Sequence, residues 1–388
     1  MFVVAVSLAV SGALWGMPPR LAVAPNITDT QPDPTAVRSP QLLPGAAIVP
    51  PGFIYGVSVA DLNNTPRVKE LGFPWMKSHL PWRAVEAKRG QYRWTDLDKA
   101  IRAATENNLG LVLRVDRAPE WSHPSNRDPA APPDPEFLPD FRRFLQIAAA
   151  RGAGRVLAYE IWNEPNLSIE WGGKPPDAAG YARLLQAGYE GVKAGDPNAL
   201  VVSAGLANTD EQSARATDEL VFLRAFYQAG ATPYFDVLGY HPHAGPDTVE
   251  GAQFRKSEAV RRVMEENGDG GKKLWATELA WIAHPPAECA SDPRWTGRMW
   301  EAVGYDQQAR NLVDSFAFVR ARWPWMEGIF LFNLDFSLAP WYDACEPMAF
   351  ESLLERDGAP RPAFSQLSAM PKVTASFPLL PPPPPNAP

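Results

Sequence analysis

The sequence predicts an α/β fold of the (β/α)8 TIM-barrel type, built as a single domain. Two observations point to it: the 388-residue chain contains eight short apolar runs, and amphipathic segments with apolar positions three or four apart separate them. Strands that alternate with helices favour a parallel sheet, and eight strands close a barrel. A doubly wound sheet is the alternative. It usually has fewer strands and often a glycine-rich phosphate loop, which GVSVADLNN at 56–64 lacks.

The predicted strands are short β-rich apolar runs. In chain order they are FIYGVSV (53–59), WMKSHL (75–80), GLVLRVD (110–116), VLAYEIWNE (156–164), LVVSAGL (200–206), FDVLGYH (235–241), LWATEL (274–279) and GIFLFNLD (328–335). The predicted helices between them include DLDKAIRAATENN (96–108), YARLLQAGYEGVKAG (181–195) and DQQARNLVDSFAFVRARW (306–323). These elements place the catalytic barrel at residues 52–370.

The two ends of the chain differ in composition from the barrel. Residues 1–24 begin with an apolar stretch of signal-peptide length that lacks a positive first region. AVA at 22–24 is typical of a cleavage site, but Pro25 would hinder cleavage, so a signal peptide and a retained membrane anchor are both open. Residues 25–51 form a Pro/Thr-rich linker and residues 371–388 a Pro-rich tail. Either interpretation of the first segment predicts export, to an extracellular or cell-surface location.

Charge and cysteine content exclude two classes of function. The net charge is -7 and no Lys/Arg run resembles a stripe that follows phosphates, which excludes nucleic acid as a partner. The spacing of Cys289 and Cys345 fits neither a CxxC redox pair nor a zinc cluster. These two cysteines lie in the loops after the seventh and eighth runs, which are neighbours in a barrel. An exported chain could join them in a disulfide, and two free thiols are the alternative.

The stretch YEIWNEPN (159–166) ends the fourth run on an acid. Chemistry in a (β/α)8 barrel lies at the carboxyl ends of the strands, so Glu164 is expected at the barrel mouth, where Pro165 stops the strand. Glu278 ends the seventh run in KKLWATELAW (272–281). Two carboxyl groups facing each other across a cavity are what glycosidic bond cleavage needs: one protonates the leaving oxygen, and the other attacks carbon or activates water.

Glu160 is the rival acid of this stretch. Strand alternation would put Glu160, Trp162 and Glu164 on the same side of the strand, with Glu160 four residues deeper. A carboxylate at that depth needs a buried partner, such as Arg114 or Lys77. We therefore interpret Glu160 as structural.

The motifs resemble those of clan A retaining glycoside hydrolases. NEP after the fourth run, TEL between two tryptophans in the seventh, and IWNEPN with LPWRAVEAKRGQYRWTDLDKAI (80–101) are most similar to glycoside hydrolase family 39, the β-xylosidase and exopolysaccharide hydrolase type, with family 5 next. The resemblance implies double displacement on a poly- or oligosaccharide through a covalent glycosyl-enzyme intermediate, without a cofactor. It implies that Glu164 is the acid/base, that Glu278 is the nucleophile, and that Asn163 binds the sugar 2-hydroxyl.

Further residues near the strand ends are candidates for substrate binding. The resemblance favours His241 as a group that orients the nucleophile or binds sugar, and Tyr240 precedes it. His241 and His243 form an HxH pair that could instead bind metal, although no metal is expected because metal sites of this fold carry HxH after the first strand. Sugar hydroxyls could find donors and acceptors at these strand ends: Lys77, His79, Asp116 and Arg117.

Aromatic residues in the loops are the candidates for stacking on sugar rings. They are Trp82, Trp121, Trp171 and Trp281. Many clan A members carry a Trp at the end of the eighth strand, whereas this chain has FNLDFS at 332–337, so Trp341 or Phe336 would take that place. A transglycosylase with the same site and a catalytically silent carbohydrate-binding barrel are the alternative functions.

Overall fold

The structure of the protein is a computed structural model that describes residues 52–340 and 342–373. The predicted N-terminal segment (1–24), the linker (25–51), Trp341 and the tail from residue 374 onward lie outside the described residues. Within the described ranges, no helix combines the length and the apolarity needed to cross a lipid bilayer.

Parallel β-segments form one closed sheet, which confirms the predicted (β/α)8 barrel. They are β1 (Ile54–Ser58), β2 (Trp75–Pro81), β3 (Gly110–Asp116), β4 (Val156–Ile161), β5 (Leu200–Ser203), β6 (Leu206–Ala207), β7 (Val237–His241), β8 (Lys273–Leu279) and β9 (Met326–Leu331). β5 and β6 are two pieces of one barrel position, since both pair with β7, and β1 pairs with β9 on the far side. The barrel therefore has eight strand positions.

Helices follow the strands and cover the outside of the sheet. They are α1 (Thr65–Glu70), α2 (Trp82–Val85), α3 (Thr95–Glu106), α4 (Leu138–Gly152), α5 (Ala178–Gly195), α6 (Glu219–Gln228), α7 (Ala252–Glu266), α8 (Tyr305–Arg322) and α9 (Pro362–Ala369). Their apolar faces pack on the outward side chains of the strands in one large buried cluster. A separate cluster fills the barrel interior near the amino ends of the strands, and it includes Trp75, Trp275 and Phe330.

Two predicted strands differ from the structure near the candidate site. The fourth run was expected to stay extended to residue 164, but β4 ends at Ile161 and the backbone turns into the left-handed region at Trp162 (φ 80°) and Glu164 (φ 37°). The expected alternation of residues 160, 162 and 164 is therefore wrong. The Trp162 ring leaves the interior and packs on Trp171 in the outer layer.

The fifth run breaks at Gly205, between β5 and β6. A Cβ at Gly205 would collide with the His241 ring, so only glycine lets the two strands approach here. The Gly205 N–H donates to Glu160 Oε1 (3.2 Å), and its carbonyl accepts from the Glu164 N–H (3.1 Å). The break thus gives two candidate acids a backbone contact each.

The loops after β8 and β9 form a small unit of their own. In the structure a disulfide joins Cys289 and Cys345, the two cysteines that the sequence suggested as partners. Trp295 packs on Phe350 beside it, and Arg294 pairs with acids of the second loop. This unit forms one wall above the carboxyl ends of the strands.

Candidate active site

A cleft lies over the carboxyl ends of the strands. One cavity of about 630 Å³ contains both Glu164 and Glu278, and a second of about 1060 Å³ extends over the ends of β1 to β3. The residues shared by the walls of both cavities are Arg114, Arg117, Glu278, Phe332, Phe336 and Tyr342. The two cavities therefore meet at Glu278, while Glu164 faces only the first.

Glu278 is a buried carboxylate held by positive charge. Lys77 Nζ and Arg114 Nη1 donate to its Oε1 at 3.1 and 2.9 Å. Burial alone would raise the pKa of Glu278, but the charges of Lys77, His241 and Arg114 and the proximity of His243 (3.9 Å) hold that pKa well below the ordinary carboxyl value. The group is ionised at neutral pH, the state that a nucleophile needs.

Glu164 stands on the turn that follows β4. Its Oε1 lies 2.8 Å from His241 Nδ1, and its side chain keeps 19% of its surface exposed to the cavity. A bulky residue with positive φ, as at Trp162, is uncommon and is held by its surroundings. Here the Trp162 N–H donates to the Val115 carbonyl and its Nε1 to the Glu170 carbonyl, both at 2.9 Å.

The two predicted catalytic acids converge on one histidine atom. His241 Nδ1 is 2.8 Å from Glu164 Oε1 and 3.8 Å from Glu278 Oε2. The two oxygens lie no farther apart than 2.8 Å plus 3.8 Å, about 6.6 Å. Carboxyl pairs of retaining glycosidases are about 5 to 5.5 Å apart, and those of inverting enzymes about 6.5 to 9.5 Å. The upper bound includes the first range and barely reaches the second.

His241 lies between three glutamates and is fully buried. Its Nε2 is 3.7 Å from Glu160 Oε1, on the side opposite Glu164. Burial lowers the pKa of His241, but Glu278, Glu160 and Glu164 together raise it to about 9. At neutral pH the ring carries a positive charge and donates to Glu164. The structure thus places the ring among the three acids.

The alternative metal site has a partial geometric basis. Ligating atoms of Glu164, His241 and His243 lie within 4.8 Å of one another. A metal would have to displace the proton that three carboxylates hold on His241, since ligating imidazole is neutral. The charges around His241 therefore favour the proton.

Glu160 has the structural surroundings expected of it. Lys77 Nζ donates to Glu160 Oε2 at 3.0 Å, so Lys77 is the partner proposed from the sequence. Burial raises the pKa of Glu160, but the Lys77 charge and the contact with His241 lower it to about 2. Lys77 thus bridges Glu160 and the candidate nucleophile, and it also borders the second cavity.

The other polar candidates have different positions. Asn163 borders the first cavity, and its Oδ1 accepts from Arg114 Nη1 at 3.0 Å. His79 borders the second cavity and its side chain is 38% exposed. Asp116 is fully buried between His79 and Arg114, and the charges of these two residues outweigh burial and lower its pKa. It orients both neighbours, which corrects the expectation that it binds sugar directly.

Three aromatic candidates lie away from the cleft. Tyr240 alternates with His241 along β7, so its ring faces the helices and is fully buried. Trp281 is also buried, and its Nε1 donates to the Asp247 carbonyl at 2.8 Å. Trp121 packs on Trp82 and donates to the Glu86 carbonyl. These rings belong to the packed core and loops, which corrects their expected role in sugar binding.

Several residues of the cleft were not predicted. Arg114 was considered only as a partner of Glu160, although it lies two residues before Asp116 on a strand that leads to the mouth. The others come from the segments after β8 and β9, and all except Phe332, which the eighth predicted strand included, lie in irregular loops without a periodic signal. They are Arg298, Trp300, Phe332, Tyr342 and Glu351. Phe336, which was predicted, borders both cavities.

The comparisons with known proteins agree on the fold. No protein-family model and no curated protein matches the sequence. A family 39 glycoside hydrolase from Bacteroides cellulosilyticus WH2 superposes with a TM-score of 0.63 at 20% identity, over 81% of this chain and 62% of that one. A family 39 β-xylosidase from Caulobacter crescentus gives 0.57 at 16% identity, over 84% and 72%.

A family 10 glycoside hydrolase from Paenibacillus barcinonensis gives a TM-score of 0.54 at 17% identity, over 82% of this chain and 96% of that one. The structural neighbours are thus glycoside hydrolases of families 39 and 10, in agreement with the clan A resemblance of the motifs. The chain spans less than two thirds of the length of the Bacteroides protein. At these identities the likeness shows the barrel fold.

Proposed function

We propose that the chain is a retaining glycoside hydrolase that cleaves O-glycosidic bonds of an oligo- or polysaccharide by double displacement. The observation that carries the proposal is the convergence of Glu164 and Glu278 on one cavity, with His241 Nδ1 within 2.8 and 3.8 Å of them. The bound of about 6.6 Å that follows from these distances favours direct attack over an intervening water. No cofactor is needed for this chemistry.

In the first step Glu278 attacks the anomeric carbon. Lys77 and Arg114 bind its Oε1, which fixes the carboxylate and leaves Oε2 for attack. As the new bond between Oε2 and carbon forms, the bond to the leaving oxygen breaks and Glu164 supplies the proton to that oxygen. The product is a glycosyl ester on Glu278 and an alcohol on the departing sugar.

In the second step water resolves the ester. Glu164, now ionised, takes a proton from water as the water oxygen attacks the anomeric carbon and the bond to Glu278 breaks. The positive His241 ring donates to Glu164 and holds the carboxyl group toward the cavity. Two inversions give net retention, and both carboxyl groups return to their starting states.

The shape of the cleft supports a substrate of several sugar units. Cavities extend on both sides of Glu278, and Phe332, Phe336 and Tyr342 lie at their junction. Aromatic rings offer flat apolar surface to sugar rings while the surrounding charges bind hydroxyl groups. Two structural neighbours are a β-xylosidase and a xylanase by name, so xylosides belong among the first substrates to test.

The test is a screen of 4-nitrophenyl glycosides and polysaccharides with wild type and Glu278→Ala. Wild type should release product with the anomeric configuration retained, as followed by proton NMR, and Glu278→Ala should lose turnover by several orders of magnitude. Glu327→Gln is the control, because this residue lies at the opposite end of the barrel, where it accepts from Trp275 Nε1. Full activity in Glu278→Ala would refute the proposal, as would an inverted product.

The two alternatives give different results in the same screen. A transglycosylase would also need both acids, but it would form longer products when an acceptor sugar is added. A silent binding barrel would bind sugars without turnover and tolerate loss of either carboxylate. Export is a separate proposal, which rests on the apolar segment at 1–24. Fractionation of cells that express the full chain tests it, and recovery of the protein only in the cytoplasm would contradict it.

A further inference from the structure

Glu351 lies on the wall of the first cavity, in the loop that follows β9. It is 8% exposed, and the same wall contains Glu278 and His243. Its backbone is fixed: the Asn333 N–H donates to the Glu351 carbonyl at 3.3 Å, and the Leu353 N–H donates to the Asn333 carbonyl at 2.9 Å. The backbone of Glu351 is therefore held at a defined place on the cavity wall that also contains the candidate nucleophile.

The carboxyl group of Glu351 has no hydrogen-bond donor among the described residues. Its nearest cation is Arg298, whose Nη2 lies 3.9 Å from Oε1 and 3.4 Å from Glu301 Oε2. Buried carboxylates normally have donors, because desolvation of an unpaired charge is costly. Glu160 shows the usual arrangement, with contacts from Lys77 and from the Gly205 N–H. Glu351 instead lines the cavity without such a donor among the described residues.

Local charge leaves Glu351 able both to donate and to accept. Burial raises its pKa, His243 and Arg298 lower it, and Glu278 and Glu301 raise it again, with a final pKa of about 7. Near neutral pH the protonated form donates a hydrogen bond and the ionised form accepts one. A sugar hydroxyl can serve either form, because it is a donor and an acceptor at once.

We propose that Glu351 is a substrate-binding residue that hydrogen-bonds one hydroxyl group of the sugar unit held against Glu278. A hydroxyl fits better than the ammonium group of an amino sugar, because Arg298 already brings positive charge to this wall. The inference rests on the proposed glycosidase function and adds a specificity-determining contact to it. It concerns a loop residue that the strand-end motifs do not include.

The experiment removes the two partners of this hydrogen bond separately and together. The substrate is the 4-nitrophenyl β-glycoside that wild type hydrolyses best among the xyloside, glucoside, galactoside and mannoside, with its monodeoxy analogues. In wild type, loss of the hydroxyl bound by Glu351 should lower kcat/KM about tenfold, since a hydrogen bond contributes on the order of one power of ten. In Glu351→Ala the same deoxygenation should cost almost nothing, because the contact is already absent.

Glu351→Gln and Glu346→Gln refine the test. The amide of Glu351→Gln keeps hydrogen-bonding capacity but cannot titrate, so it should retain most of the deoxygenation penalty and lose any change of KM near pH 7. Glu346 is the matched control: it lies in the same loop with 18% of its side chain exposed and pairs with Arg294 at 3.1 Å. Its substitution should leave the penalties at their wild-type values.

The outcomes separate this proposal from the proposed function. Equal deoxygenation penalties in wild type and Glu351→Ala at every position would overturn the role of Glu351 and leave glycosidase activity standing. If wild type hydrolyses none of these glycosides and none of the polysaccharides in the screen, the proposed function fails. Calorimetric binding of the same glycosides and deoxy analogues then still decides the contact, and equal affinities or no binding would overturn it.

Discussion

The barrel interior has two layers of opposite chemistry, although the same strands build both. The lower layer, near the amino ends, takes one apolar side chain from each strand position: Ile54, Trp75, Val112, Ala158, Val202, Val237, Trp275 and Phe330. Two residues farther along β2, β3 and β4, the side chains on the same face are Lys77, Arg114 and Glu160. One step of the strand period thus separates a packed floor from a charged upper layer.

This difference in chemistry determines how much the stability of each layer depends on any single side chain. An apolar side chain in the floor contributes by its own buried area, about 1.5 to 3 kcal/mol for a large residue. A charge in the upper layer is tolerated only because its partners compensate it, as Lys77 does for Glu160 and Glu278 at once. A single change in the upper layer therefore affects several groups, whereas a change in the floor stays local.

The largest effect is expected from Lys77→Met. It leaves Glu160 and Glu278 without a shared cation, and breaking such buried pairs costs about 3 to 5 kcal/mol. The pKa of Glu278 should rise, so the acid limb of the rate profile should move to higher pH. Denaturant unfolding and a pH profile measure both effects. Lys69→Met, at an exposed position on α1, is the control, and a loss below about 1 kcal/mol in Lys77→Met would contradict the coupling.

A pH-dependent effect is expected from Glu351→Gln. The pKa of Glu351 is about 7 in the folded protein against a reference of 4.5, so between these values the folded state holds a proton that the unfolded state has released. Wild type should therefore lose stability relative to the variant as pH rises from 4.5, and the difference should level off above pH 7. The full difference is about 3 kcal/mol.

Thermal unfolding of wild type and Glu351→Gln at several pH values measures this prediction. The variant should be the more stable protein at pH 8, while the two should be closest near pH 4.5. Parallel curves across the whole range would show that the Glu351 carboxyl does not titrate as the structure indicates. The floor offers no such pH dependence, because its members carry no charge.

The parts of the site that could be predicted from sequence are those set by local rules. Eight apolar runs predicted the barrel fold. The position of Glu278 at the end of a run predicted that its side chain lies at the barrel mouth. Lys77 could be proposed as a partner of Glu160 because a deep carboxylate requires one. These inferences need only three rules: side chains alternate along a strand, chemistry lies at the strand ends of a barrel, and a buried charge requires a partner.

The parts that could not be predicted depend on the path of the chain in three dimensions. The left-handed turn at Trp162 is not marked by a glycine, and it depends on a hydrogen bond to Val115, which is distant in sequence, and on another to Glu170 in the following loop. Trp281 follows β8, yet its ring packs in the outer core. The sequence shows that a tryptophan stands in this loop, but it does not show in which direction the ring points. Glu351 lies in an irregular loop, where hydrophobic periodicity gives no information.

A smaller effect is expected from Gly205→Ala, at the carboxyl end of β5 beside the charged layer. The added Cβ would collide with the His241 ring and lie 2.6 Å from Thr277 Oγ1, so the histidine must move. Such overpacking costs about 1 to 3 kcal/mol. The loss of turnover should be larger than the loss of folded protein alone would cause, because His241 contacts both candidate acids. Gly271→Ala is the control, because the structure describes no atom within 4 Å of the added Cβ there and, as at Gly205, the backbone is not in the left-handed region. Wild-type turnover in Gly205→Ala would contradict the role of His241.

The smallest effect is expected from Ile54→Val, in the floor. Loss of one buried methylene group costs about 0.5 to 1.5 kcal/mol. Because Ile54 packs among the apolar side chains of the floor, kcat/KM and its pH profile should match wild type when the protein is fully folded. Denaturant unfolding gives the stability change and a pH series gives the profile. A shifted pH profile would show that the two layers are mechanically coupled, so that the floor helps to set the geometry of the acids above it.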